Sequence, residues 1–183
     1  MERPRVTRIL QEAGLVSDFS TVPPAVLEAA QRRGTAVHEA MESLAYGYEV
    51  ELDEKHGGYL RAAECFLKDY ALECVVAEYE VTHTVWNYVG HLDYVGWFQG
   101  ERILLDWKTS GALELRPVSI QLAAYRMAWE VQRPKEPIAK TWSVQLRKDG
   151  TYKRHELNSR KWDHVFHAAC VIYHARRGSY DAK

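Results

Sequence analysis

Residues 90–111 read "GHLDYVGWFQGERILLDWKTSG". β-Branched and aromatic residues fill two short runs, and "QGE" between them is a turn signal, so the stretch predicts two hairpin strands. Three charges interrupt those runs: Asp93, Asp106 and Lys108. Residues two apart on a strand share a face. Asp106 and Lys108 therefore stand side by side, while Ile103, Leu105 and Trp107 point the other way. Pairing through a turn near Gln99-Gly100 can bring Asp93 close to Asp106. Two carboxylates so placed repel unless a cation joins them, and hard divalent ions such as Mg²⁺ or Mn²⁺ prefer oxygen ligands. Taken alone, the stretch fits an ordinary Asp–Lys ion pair on a strand face equally well.

Outward from this hairpin the strand texture extends upstream through "CVVAEYEVTHTVW", with a turn at Asn87, which gives a three-stranded meander. Beyond it the apolar period becomes helical. "VTRILQEAGL" predicts a short helix ended by Gly14. A long helix is expected from about Pro24 to Tyr46, with proline in its first turn and Gly47 to end it. Leu27, Ala30, Gly34, Val37, Met41 and Leu44 form its apolar stripe. "YGYEVELDEKHGG" reads as a loop and "GYLRAAECFLKDYALE" as a second amphipathic helix. Downstream, "RPVSIQLAAYRMAWEV" is helical, "AKTWSVQLRKDGTYKRHEL" is a hairpin turning at Asp149-Gly150, and "NSRKWDHVFHAACVIYHARR" is a last helix capped by Asn158 or Ser159. Helices, three strands, helix, two strands, helix: this order predicts an α/β fold with a central mixed sheet flanked by helices. One domain is expected over residues 1–183, with an N-terminal helical part (1–73) and a sheet core (74–183).

Composition narrows the function classes. Hydrophobic residues make up 46% and charged residues 27%, as in soluble globular proteins. No apolar run approaches a membrane span, and "MERPRVTRIL" lacks the apolar core of a signal peptide. A cytoplasmic protein without a membrane partner is expected. Cys65, Cys74 and Cys170 are too few for a four-thiolate zinc or iron–sulfur site. The net charge of −1 is unevenly spread: residues 37–80 carry 11 Asp+Glu against 3 Lys+Arg, and residues 131–183 carry 12 Lys+Arg against 5 Asp+Glu. Such a division suits metal ions in one region and phosphates in the other, or two solvated faces.

Four surroundings strengthen the Asp–Lys signal. Gly90 permits a close approach of backbone or ligand beside Asp93. Glu78 and Glu80, two apart on the preceding strand, offer further oxygen ligands or a solvent-facing acidic stripe. His38 lies beside the apolar stripe of the long helix, with Gly34 one turn before it and Glu42 one turn after. Gln121 and Tyr125, four apart, share a helical face. Each has an ordinary structural reading when taken singly. In order, "RGTAVHEA", "AEYEV", "GHLD", "DWK" and "QLAAY" resemble the motifs of the RecB-like branch of the PD-(D/E)XK nuclease superfamily. Their spacing is similar to that of phage and prophage exonucleases of that branch, related to Cas4 and the mitochondrial genome maintenance exonucleases. The likeness runs from "VTRILQEAGL" to "QLAAYRMA".

The resemblance implies a restriction-endonuclease-like core and a metal-dependent DNA exonuclease acting in phage or prophage recombination, repair or replication, with proteins of those processes as partners. A structure-specific or restriction-like endonuclease is the alternative within enzymes, and a non-catalytic DNA-binding protein with the same fold the alternative outside them. His38, Asp93, Asp106 and the Trp107 backbone carbonyl would hold Mg²⁺ or Mn²⁺. Lys108 would be the catalytic lysine, which positions and activates the attacking water; Glu78, with Glu80 as fallback, would be the strand acid. Gln121 and Tyr125 would position substrate or the catalytic core. His91 stands where relatives usually carry a small or hydroxyl residue and would add a second imidazole near the metal, and the missing fourth cysteine argues against close kinship with cluster-bearing Cas4-like and AddB-like members. For DNA contact, Arg32 and Arg33 precede His38, and Arg126, Arg147, Lys148, Lys153 and Arg154 are further cations. Trp86, Tyr88 and Trp97 could stack on bases, although strand aromatics more often belong to the core.

Overall fold

Gln99 and Gly100 both take positive φ, 51° and 80°, so Phe98 pairs with Glu101 across the expected two-residue turn. The computed structural model describes residues 3–17, 22–51, 53–109 and 111–178. Leu52 of the expected loop and Ser110 of the opening stretch lie outside the described residues. The elements are α1 (Val6–Glu12), α2 (Pro24–Ala45), α3 (Gly57–Tyr70), β1 (Glu73–His83), β2 (Tyr88–Phe98), β3 (Glu101–Lys108), α4 (Leu115–Gln132), β4 (Lys140–Leu146), β5 (Tyr152–Leu157) and α5 (Asp163–Ala175). The strands form one mixed sheet in sequence order. Three neighbouring pairs are antiparallel, and β3 and β4, joined through α4, are parallel. This is the α/β architecture that the element order predicts.

Two apolar layers sandwich the sheet. Val6, Ile9 and Leu10 of α1, Leu122 and Trp129 of α4, and Phe166 of α5 fill one. Val37 and Met41 of α2, Phe66 of α3, and Leu105, Trp107 and Trp142 of the sheet fill the other. The expected N-terminal helical part is thus divided between the two faces. α1 is tied to the sheet by the Val89 N–H, which donates to the Pro4 carbonyl at 3.0 Å.

The last helix begins differently from its expected cap. A 3₁₀ turn spans Ser159–Trp162, and no side chain caps it or α5. The Ser159 hydroxyl is engaged elsewhere, accepting the Arg126 Nε–H at 3.2 Å. Arg126 also corrects an expectation. It is 2% exposed; its Nη1 donates to Glu130 at 2.7 Å, and its Nη2 pairs with Asp163. A buried guanidinium that locks α4 to α5 cannot offer itself to a phosphate. Removing it strips Asp163 of its guanidinium while Glu130 keeps Arg160 at 2.8 Å, so Arg126→Ala is expected to cost about 2 kcal/mol. A urea midpoint shift well below that would show the clamp to be dispensable.

Candidate metal centre

The β1–β2 ladder joins Ala77 to Tyr94 and Tyr79 to Leu92, but skips the pair between them, Glu78 and Asp93. Glu78 has a φ of 45°, in the left-handed region that costs a residue with a Cβ roughly 1–2 kcal/mol. Strand alternation breaks there. Ala77 and Tyr94 belong to the layer beneath α2 and α3, whereas Tyr79 and Leu92, two residues away on each strand, belong to the layer beneath α4. The β2–β3 ladder ends at Tyr94–Leu105, one position short of Asp93 and Asp106. Asp93 Oδ2 instead accepts the Trp107 N–H at 2.7 Å. Glu78, Asp93 and Asp106 therefore occupy successive positions across three adjacent strands.

α2 delivers His38 to this row. Its Nδ1 lies 3.0 Å from Glu78 Oε1 and 3.7 Å from Asp93 Oδ1. His91 Nε2 lies 3.0 Å from Glu78 Oε2, so each oxygen of that carboxylate faces an imidazole. One ligand atom from each of His38, Glu78 and Asp93 lies within 4.8 Å of the others. Asp106, the other expected carboxylate ligand, lies outside those three, on the neighbouring strand. Its Oδ1 accepts the Lys108 ammonium at 2.9 Å, and its Oδ2 is buried without a hydrogen-bond partner. An unpartnered buried carboxylate oxygen is costly. Together with the imidazole and two further carboxylates it makes a nitrogen–oxygen donor set that suits a divalent ion such as Mn²⁺.

The electrostatics follow from crowding. The charge of Asp93, opposed by burial and aided by the hydrogen bond to Glu78, lifts the His38 pKa to about 9. An imidazolium thus balances the carboxylates at neutral pH. Burial pushes the Asp93 carboxyl up, His38 pulls it down, and Asp106 pushes it up again. Burial also opposes the Lys108 ammonium, but Asp106 and Asp93 outweigh it and hold the pKa above the ordinary value. Tyr125 is pushed up by burial and by Asp93, so its phenol stays neutral. Gln121 Nε2 donates to that phenol oxygen at 2.7 Å, as their spacing on α4 suggests. Gly90 is required by close approach, since a Cβ there would fall 2.7 Å from the Tyr125 ring.

The remaining expected residues divide. Glu80 is exposed, opposite His91 in the ladder. Arg33 Nε lies 3.4 Å from Thr109 Oγ1, just past β3, while Arg32 turns outward to Glu28 at 3.8 Å. Gln145 pairs with Lys108 in the parallel ladder, so the exposed Arg147 and Lys148 extend from the Lys108 end of the sheet. Arg154 packs over Trp142, its guanidinium carbon 4.4 Å from the ring centroid. Tyr88 is buried, Trp86 stacks on His167 at 4.5 Å, and Trp97 lies under Arg102, the structural reading given to these aromatics above. Sequence reasoning missed Ser143, which pairs with Asp106 and buries an unpartnered hydroxyl. Its signal was the polar alternation Thr141, Ser143, Gln145 in an otherwise apolar strand.

No family model matches the chain. Human mitochondrial genome maintenance exonuclease 1 is 38% identical over 82 residues, which cover 43% of this chain and 24% of the relative. The chain thus matches about a quarter of that protein's length. A solved structure from Eubacterium rectale, provisionally described as an exonuclease, superposes with a TM-score of 0.53 at 11% identity, covering 80% of this chain and 68% of the other. The likeness is one of fold. LHK-Exo, solved in complex with dAMP, gives a TM-score of 0.41 at 12% identity over 97% of this chain and 90% of its own.

The strain at Glu78 and its ligand role are separable by substitution. Glu78→Gly is expected to be more stable than Glu78→Ala by about 1 kcal/mol, because only glycine adopts this φ freely. Both are expected to weaken Mn²⁺ binding at least tenfold in calorimetric titration. Equal stability of the two variants, or Mn²⁺ binding that survives in either, would refute the assignment.

Proposed function

We propose that residues 1–183 form one nuclease domain, a deoxyribonuclease that depends on Mg²⁺ or Mn²⁺ and hydrolyses DNA phosphodiesters as an exonuclease of the RecB-like PD-(D/E)XK branch. The observation that carries this reading is the convergence of His38, Glu78 and Asp93 beside the Lys108–Asp106 pair at one break in the sheet. The fold likeness to an exonuclease and the partial identity with the human enzyme support it. The motif likeness to phage exonucleases adds a role in recombination, repair or replication, in the cytoplasm of the host. Among the described residues no helix is long and apolar enough to cross a membrane.

His38, Glu78 and Asp93 would hold the ion, with the free Asp106 oxygen and the Trp107 carbonyl as further ligands. When bound, a divalent ion supplies positive charge against the phosphate and acidifies the attacking water. The chain's own groups do the rest. Lys108, kept charged by Asp106 and Asp93, orients the water and offsets negative charge that develops on the phosphate oxygens. Tyr125 accepts its hydrogen bond from Gln121, which leaves the phenolic proton free to donate toward the carboxylate row or the substrate. Burial of Asp93 and Asp106 keeps bulk water from screening these charges.

End-labelled linear DNA should be degraded with Mg²⁺ or Mn²⁺, while closed circular DNA persists. EDTA should stop the reaction, and Lys108→Ala should reduce it at least 100-fold, on the scale set by loss of one charge-stabilising group. Undiminished activity in Lys108→Ala would sink the reading, and cutting of circles would convert it to an endonuclease.

A further inference from the structure

The cleft beside the metal centre opens onto arginines that the function above leaves unused. A cavity of about 100 Å³ is lined by Arg5, Thr7, Glu80, Gly90, His91 and Tyr125, so that one arginine and one acid face it. His91 bonds Glu78, and the Tyr125 phenol lies in the field of Asp93, so this cavity adjoins the centre. A wider groove of about 660 Å³ begins at the same Arg5 and Thr7 and runs along α1 past Arg3, Arg8 and Gln11. The two shared residues make one continuous surface that leads away from the carboxylates.

The surface is built on an anchored segment. Arg5 bridges to Val89 of β2, and the neighbouring Val89 N–H is held by the Pro4 carbonyl. Pro4 and Val6 are buried, while Arg3, Arg5 and Thr7 alternate outward. Among the described residues, Arg5 has no carboxylate partner within ion-pair distance. Arg3 bonds only the neutral Asn87 amide, at 3.1 Å. Glu12, the acid of the groove, is shared between Arg8 at 3.0 Å and Arg177 at 2.6 Å. The groove therefore carries a net positive charge, and guanidinium forks match phosphate oxygens bidentately. An acidic peptide would satisfy the charge, but nothing about the groove's course to the carboxylate row would serve it.

We infer that Arg3, Arg5 and Arg8 form a track for the sugar-phosphate backbone of the strand entering the metal centre. The inference rests on the nuclease reading for the strand's destination, but the track is tested by binding alone. The probe is a fluorescein-labelled oligothymidylate of about 20 nucleotides, followed by anisotropy in EDTA over a salt series. Arg3→Ala/Arg5→Ala should weaken binding about tenfold or more and lower the slope of log affinity against log salt by about two, one per lost phosphate contact. Lys135→Ala, an exposed cation on the loop after α4, should leave both unchanged, and thermal melting should show all three proteins folded. If the double variant binds like the wild type, or the wild type binds no DNA, the track is overturned. DNA binding lost in the double variant with no hydrolysis by the wild type would uphold the track and overturn the nuclease reading instead.

Discussion

The site depends on one backbone angle. Glu78 holds a left-handed φ in the middle of β1, where an L-residue is strained. That single turn of the chain lets β1 and β2 exchange faces at the same cross-strand position, so Ala77 and Tyr94 pack under one helical layer and Tyr79 and Leu92 under the other. Both ladders thin out there, which frees Asp93 to take the Trp107 N–H and leaves Glu78 and Asp106 on either side of it. The strain is offset by two buried layers that hold each strand on both sides of the break.

Charge is the second constraint. Three carboxylates lie across adjacent strands of a buried sheet, and in water-poor surroundings such a row needs cations. The chain supplies two, an imidazolium at His38 and an ammonium at Lys108, each sustained by the acids it faces. The balance is incomplete, because Asp106 keeps one oxygen buried and unpartnered. Under the proposed reading, a divalent ion held by His38 would displace its proton, which would couple loading of the centre to acidity. Lys108 is held by Asp106 at 2.9 Å and is not one of the three grouped donors.

Much of the fold was legible before any coordinates. The change from helical to strand period, the Gln99-Gly100 and Asp149-Gly150 turns and the long α2 all come from local preferences that tertiary packing did not override. The site was legible as a set of residue types: His38, Glu78, Asp93, Asp106 and Lys108 come in an order that resembles the motifs of a nuclease branch. Arg126 was misread because a helix position does not reveal whether an arginine faces solvent or two carboxylates on neighbouring elements. The expected Asn158 or Ser159 cap failed for the same reason, since Ser159 serves Arg126 instead.

By itself, then, the sequence determined the elements, their order and the chemical inventory of the centre, because turn geometry, apolar period and residue type are local properties. The tertiary structure decided which of those residues meet. It set one donor atom each of His38, Glu78 and Asp93 within reach of one another, placed His91 against the second Glu78 oxygen, and paired Asp106 with Lys108. It also joined Arg5 and Thr7, more than 80 residues before His91 and Tyr125, to the same cleft. These outcomes hang on strand register and on a positive φ within a strand. Both are set by the packing of two helical layers against the sheet, and no window of sequence contains that information.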